Sequence, residues 1–455
     1  MAERIRARLL IAVWLGQLVS LVGSSLTGFV LGVWVYQRTG SVTQFSLIFL
    51  ASSLPAVLVA PFAGVIADRW DRRRVMLLSD LGAAIGTAAL ALLAANDSLA
   101  VWHIYLATAL SAASSTVHQV SYQAMTPALV GKTHLARFNG LMQVTRAAQI
   151  AAPLVAGVLV VTIGIGGVLA VDLGTFAVAS LTLLLVRLPA EATRPAARRT
   201  REPVLTEAAA GWHYLRAHTG LWQLMVLFGA YNFLFGFAGV LVQPLILSFA
   251  SADTLGLLMF AGGAGLFAGS VVMTAWGGPA RRIHAVFGGL ALGGVALVLH
   301  SLTPSAWLIA VVAPLFLFTL PIVNSSTMTL IQTKTEPAVL GRVLAAARVV
   351  GDASIPVAYL LAGPLADQVF EPLMRPDGAL AGTAGAVIGT GDGRGTALVF
   401  AVTGTLMVLL VAAAWSRRSL RAVDDLPDAL EPAEPAEAAE AATPEPVETP
   451  EPVRD

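Results

Sequence analysis

Apolar residues run along this chain in long unbroken blocks separated by short polar or basic breaks. A helix needs about 20 mostly apolar residues to cross a bilayer. Twelve such blocks lie near 9–36, 42–66, 75–95, 101–127, 138–162, 165–187, 220–248, 254–276, 283–302, 304–332, 343–366 and 395–416. In lipid the backbone must satisfy its own hydrogen bonds, so each block predicts a helix or a strand of a closed barrel. Barrel strands alternate apolar and polar positions, whereas these blocks are continuously apolar and predict helices. The pattern therefore predicts an all-α membrane protein with 12 transmembrane helices. The first block follows Arg4, Arg6 and Arg8, as a signal peptide would. It continues to about Tyr36, far beyond a signal h-region, and predicts a retained first helix.

The longest basic-side connection, 188–219, divides the blocks six and six. It is rich in Ala, Arg and Pro up to Pro203. Leu205, Ala209, Trp212 and Leu215 then recur at helical spacing and predict an interfacial helix. The predicted organisation is a six-helix bundle over 1–187, the linker 188–219, a second bundle over 220–421, and a tail over 422–455. The halves echo each other: Arg72-Arg73 against Arg281-Arg282, and Arg146, Pro153, Gly157 against Arg348, Pro356, Gly363. Pseudo-symmetric six-helix repeats of this kind point to a transporter with its site between the halves.

Composition agrees with the pattern. Hydrophobic residues make up 56% and charged residues 12%, with no Cys; soluble proteins carry about 25% charged residues. This excludes a disulfide scaffold and a thiolate metal site. The net charge of +1 conceals a division, because residues 422–455 hold 11 of the 27 acids and the single base Arg454. With the N-terminus in the cytoplasm, 23 Lys and Arg residues fall on the cytoplasmic side and three (Arg38, Arg375, Arg394) outside. That asymmetry predicts cytoplasmic N- and C-termini in a cell-membrane protein. The Glu/Pro/Ala-rich tail is expected to be disordered, and its acids lie on the same side as the basic loops, close enough to touch them.

The sharpest local signal is Gly64-Val-Ile-Ala-Asp68-Arg69-Trp-Asp71-Arg72-Arg73-Arg74 after the second block. It resembles the loop signature of the major facilitator superfamily, G-x-L-A-D-R-x-G-R-[KR]-x-x-L. Gly64, Ala67, Asp68, Arg69, Arg72 and Arg73 match; Ile66 replaces Leu and Asp71 replaces the second Gly. The resemblance implies two bundles of six helices rocking about a central cavity. It also implies a conformational latch centred on Asp68, with Gly64, Arg69, Arg72 and Arg73. Asp80, near the same end of span three, reads as support for that latch or as simple interfacial exposure. The Arg residues read equally as topogenic charges. Around Arg146 the run Asn139-Gly-Leu-Met-Gln-Val-Thr-Arg146-Ala-Ala-Gln-Ile-Ala-Ala-Pro153-Leu-Val-Ala-Gly157 is similar to the fifth span of drug:proton antiporters. More narrowly it resembles the macrolide-efflux and enterobactin-exporter branch, as does Ala362-Gly363-Pro364-Leu365-Ala366-Asp367. The branch's G-P-x-x-G-G becomes Ala152-Pro153-Leu-Val-Ala156-Gly157, which keeps small residues for helix packing. Span four lacks the membrane Arg of other drug:proton antiporters, and Ala83 stands where many relatives place Arg. Their proton route therefore does not carry over.

Ionisable groups inside spans are costly and need a reason. Arg348 and Asp352 are four apart on one face of a helix, either as a proton-titratable pair or as neutralised packing. Arg146 suits an anionic substrate or an ion pair. Asp172 reads first as structural. His118 and Gln123 form a polar line on span four, with His118 a proton relay or a satisfied packing group. Asn232 and Asn324 line a cavity or bond between helices. Gly263-Ala-Gly265-Leu-Phe-Ala268 imitates a dinucleotide fingerprint without a strand, so it reads as helix packing through Gly265 and Gly269. With no P-loop, H-E-x-x-H or G-x-S-x-G, no enzyme, cofactor, metal or nucleic-acid partner is expected. The expected function is proton-coupled export of a drug-like, secondary-metabolite or siderophore-like small molecule by a monomer in a lipid bilayer. The alternatives are a proton-coupled uptake porter, and a non-transporting scaffold or sensor acting through its tail.

Overall fold

The computed structural model describes residues 2–186 and 204–428, and its long elements are all helices. In chain order they are α1 (Ala2–Thr39), α2 (Val42–Arg69), α3 (Arg72–Ala95), α4 (Val101–Thr162), α5 (Gly164–Leu185), α6 (Val204–Ala217), α7 (Thr219–Leu247), α8 (Ala252–Trp276), α9 (Arg282–Leu302), α10 (Ala306–Thr333), α11 (Pro337–Pro364) and α12 (Arg394–Ser416). Among the described residues ten helices are long and apolar enough to cross a membrane, all except α4 and the linker helix α6. The linker helix forms where the apolar spacing placed it, with Trp212 edge-on to Trp222 and Arg216 over both rings.

The 62-residue run of α4 merges the two spans expected at 101–127 and 138–162. As a straight rod it would be about 93 Å long. Its two ends nevertheless meet one cluster: Ile104 packs with Leu169, and Ile165, just beyond the far end, packs beside them. Gln123 and Thr145 also line a single cavity. The run therefore doubles back, and its two arms return to the same end of the bundle. The side chains of 126–143 lie outside the described residues.

Helices α1–α5 form one bundle and α7–α12 the other. The second has the larger core, built on α7, α9, α10, α11 and α12, with Val42 and Phe45 of α2 inserted into it. One end of the molecule carries the basic turns at Arg69–Arg74, Arg281–Arg282, Lys334 and Arg417–Arg421. At the opposite end the two bundles touch. There Gly157 lies against Ala252, Asp253 and Gly256 of α8, so close that a Cβ would sit 2.8 Å from the Ala252 carbonyl oxygen. A Cβ on Gly256 would sit 2.5 Å from the Pro153 carbonyl oxygen. The small residues of the Pro153–Gly157 stretch are thus what bring two backbones into contact. Gly265 and Gly269 do the same between α8 and α10, against Pro314 and Phe318.

Residues 422–428, the first of the expected tail, pack against the second bundle. Val423 is fully buried and Leu420 nearly so. The Asp424 carboxylate accepts hydrogen bonds from Arg282 N (3.2 Å) and Ile283 N (2.9 Å), capping α9. The Lys334 ammonium donates to the Asp424 carbonyl (2.8 Å) and pairs with Asp428 (2.8 Å), and Arg281 pairs with Asp425 (3.4 Å). The first acids of the tail are held because free amides at a helix N-terminus and two basic turns face them. The remaining tail, 429–455, lies outside the described residues. Replacing Asp424 with Ala removes this cap. Thermal unfolding in detergent should report a loss of about 0.5–2 kcal/mol, and truncation after Asp428 should report none.

Candidate substrate and proton site

A cavity of about 490 Å³ opens within the first bundle, between α1, α3, both arms of α4, and α5. That is the size range of small-molecule sites. It sits toward the basic end, because Asp80 is only two turns from the start of α3 at Arg72. Its wall is amide- and hydroxyl-rich: Gln17, Gln119, Gln123 and Gln149, with Ser79, Ser114, Ser115 and Thr145. Trp14 and Phe176 add aromatic faces, and the Trp14 indole is oriented by donating to Thr145 Oγ1 (3.0 Å).

Asp80 and His118 meet in this wall. The Asp80 Oδ1 atom stands 2.8 Å from His118 Nδ1. Asp80 is 6% exposed, and among the described residues its other oxygen, Oδ2, has no hydrogen-bond partner. A carboxylate taken from water with half its acceptor capacity unused is held at a cost and is open to a hydrogen-bond donor from a ligand. The sequence expectation placed Asp80 as support for the Arg-rich turn; in the structure its carboxylate faces His118. The helix spacing explains this, because Asp80 lies two turns inside α3 on the side facing α4.

The other expected residues divide. Asp172 is buried and satisfied: its carboxylate accepts from Thr27 Oγ1 (2.8 Å), Thr175 Oγ1 (3.3 Å) and Ser24 Oγ (3.4 Å), tying α1 to α5. Asn232 donates to the Phe228 carbonyl one turn back (2.8 Å) on α7, and Asn324 is exposed on α10; neither lines the cavity. Pro153 and Gly157 belong to the contact between bundles. The side chains of Arg146, Arg348 and Asp352 lie outside the described residues. Gly64 has open space where a Cβ would be, and Asp68 and Arg69 are exposed. Arg72 is buried, with Nε 3.4 Å from the Ala67 carbonyl at the end of α2, and Arg73 donates to the Leu184 carbonyl (2.7 Å) at the end of α5. Both cations thus sit at helix C-termini, where the dipole favours them. Asp71, in place of the signature's second Gly, caps α3 by accepting from Arg74 N (2.9 Å).

Sequence reasoning missed Trp14, Gln17 and Gln149, because it weighed ionisable groups first. The signal was present: a Gln in the middle of an apolar block is nearly as exceptional as a charge. Among the described residues no cluster of three metal-ligating side chains occurs.

With twelve expected spans, two bundles and an intramembrane polar cavity, the family model that matches residues 13–359 is decisive; it is the Major Facilitator Superfamily. The chain belongs to that superfamily. It is similar to macrolide efflux protein A of Streptococcus pyogenes, 24% identical over 365 residues, covering 78% of this chain and 89% of the relative. Enterobactin exporter EntS of Escherichia coli O1:K1 / APEC is 30% identical over 358 residues, covering 75% of this chain and 82% of the relative. Among solved structures, nucleoside transporter NupG superposes with TM-score 0.66 at 14% identity, covering 91% of this chain and all of that one. A bacterial homologue of the iron transporter ferroportin in an inward-facing state gives TM-score 0.66 at 14% identity, covering 90% and 99%. The family is one of transporters, so this is a multi-pass membrane transport protein with efflux-named relatives.

The Asp172 cluster generates a test. Asp172→Ala leaves three hydroxyls facing a void and should cost about 1–3 kcal/mol in detergent unfolding experiments, while ligand binding in the cavity is retained by the folded fraction.

Proposed function

We propose that this superfamily member is a proton-coupled exporter of a drug-sized, mostly uncharged small molecule, working by alternating access in the cell membrane. The observation that carries the reading is the Asp80–His118 pair, set in an amide-lined cavity toward the basic end of the first bundle. Four glutamine amides and the aromatic faces of Trp14, Tyr122 and Phe176 suit a moderately apolar ligand bearing carbonyl, hydroxyl or amide groups, as in macrolide-like or secreted-metabolite chemistry. Efflux-named relatives support the outward direction. In this reading α4 supplies two spans, which with the ten other helices makes twelve. The basic end faces the cytoplasm, as the Lys and Arg asymmetry requires, with both termini there. The state described is then open to the cytoplasm and closed outside, the state in which an exporter loads.

The coupling follows from one site serving two ligands. A proton on the Asp80–His118 pair removes the free carboxylate oxygen that a substrate donor would use. A bound substrate in turn disfavours that proton. Each ligand shifts the equilibrium between inward- and outward-open forms only by its differential affinity for them. The Arg348–Asp352 spacing on α11 supplies a second carboxylate to the cycle.

The experiment is transport in everted membrane vesicles under an imposed pH gradient. The folded Asp80→Asn variant, which mimics the protonated acid, should bind substrate more weakly and lose gradient-driven accumulation, and His118→Ala should lose most of it. Gradient-driven accumulation at the parent rate in both variants would remove the pair from coupling. Efflux from everted vesicles, in place of accumulation, would reverse the direction to uptake.

A further inference from the structure

The sequence carries the Gly64-Val-Ile-Ala-Asp68 pattern twice. At the end of α11 it reads Gly363-Pro-Leu-Ala-Asp367, again G-x-[IL]-A-D. The two copies lie at opposite ends of the molecule: the first closes α2 at the basic end, and the second closes α11 at the opposite end. They are in opposite conditions.

The second copy is engaged across the gap between bundles. One Asp367 oxygen accepts from Ser41 Oγ (2.7 Å) and Thr43 N (2.8 Å), and the other accepts from Val42 N (3.0 Å). These donors are the first turn of α2, so a carboxylate of one bundle caps a helix of the other. Charge-assisted bonds of this kind are the strong ones, and the helix dipole adds to them. Gly363, one turn earlier, lies where a Cβ would collide with Ser46 Oγ and would sit 2.5 Å from Thr43 Cα. Deeper in the same contact, Phe49 meets Tyr359 edge-on with ring centroids 5.5 Å apart. Ala67 and Ala366, the fourth residues of the two copies, are both fully buried in their helix packing.

The first copy is disengaged. A Cβ on Gly64 would meet no atom within 4 Å, and Asp68 is exposed. At the same basic end, the side chain of Glu336, the residue before α11, makes no hydrogen bond to the helix's first amides among the described residues. Each copy therefore has a natural receptor at its own end, the start of the helix that carries the other copy: α2 for Asp367 and α11 for Asp68.

We propose that Gly363–Asp367 is a second latch, acting as the counterpart of Gly64–Asp68, and that the two engage alternately. Asp367 holds the end opposite the basic face closed while the cavity is open at the basic face. Its release from α2 is required for the opposite end to open. This rests on the alternating-access part of the proposed function. It does not depend on the substrate or on the proton site, because its experiment reads distances in the absence of both.

The chain has no Cys, so labels can be placed without background. Ser98→Cys and Thr303→Cys put one spin label on each bundle at the opposite end, both on exposed turns. Pulsed dipolar spectroscopy in lipid nanodiscs reads the separation. Asp367→Asn should raise the ratio of open to closed populations at this end by about tenfold, the size expected for losing hydrogen bonds to a charged acceptor. Asp68→Asn should leave that ratio unchanged or lower it. Gly363→Leu, which wedges the same contact without altering charge, should open it as Asp367→Asn does and guards against a folding defect in the first variant. Distance distributions of Asp367→Asn and Gly363→Leu that superimpose on the parent would overturn the proposal. So would an equal opening caused by Asp68→Asn.

Discussion

The arrangement depends on backbone approaching backbone at one end of the molecule. Two bundles in lipid have no hydrophobic drive to associate with each other, since lipid tails are as apolar as leucine. What draws them together must be close packing and hydrogen bonding. Gly157 against Ala252 and Gly256, and Gly363 against Thr43, provide the first. The Asp367 carboxylate on the start of α2 provides the second. A contact of this kind is bistable: a glycine seam is either closed at van der Waals distance or lost. Two bundles held by such seams suit a hinge better than a fixed core does.

The acids of the connections do one recurrent job. Asp71 caps α3, Asp367 caps α2, Glu371 accepts from Gly393 N and Gly395 N at the start of α12, and Asp424 caps α9. Each places negative charge where free amides and the helix dipole ask for it. Arg72 and Arg73 do the converse at helix C-termini. Several of the charges outside the cavity are therefore accounted for by helix ends. That sharpens the contrast with Asp80, whose carboxylate caps nothing and meets a histidine in the wall of a cavity.

Much of the architecture was legible because lipid leaves few options. A continuous apolar block of twenty residues predicts a helix whatever its neighbours do, and Leu205, Ala209, Trp212 and Leu215 marked α6 by spacing alone. The packing of the first tail residues was not legible from composition. Asp424 looks like the first residue of an acidic spacer until the free amides of Arg282 and Ile283 are placed beside it. The site was legible as a set of exceptions, His118 and Gln123 among them, but not as a constellation. Nothing in a linear spacing of 38 residues says that Asp80 and His118 stand 2.8 Å apart. Asp367 was visible as part of a family-like string, yet its role depends on which helix begins opposite it, and that is a property of bundle packing.

Cavity and seam constrain each other through α4. The arm that carries His118 packs along α2 and α3, while the arm that carries Thr145 leads into Pro153 and Gly157 at the seam with α8. A ligand that spreads Gln119 and Gln123 from Gln149 pushes on both arms at once, and one of them ends in the glycine contact between bundles. The Trp14–Thr145 hydrogen bond fixes α1 to the same arm. Occupancy of the cavity is thereby connected to the seam by continuous helix, with no flexible loop between them. A shift of the second arm by a fraction of an ångström is enough to matter where a single Cβ cannot be accommodated.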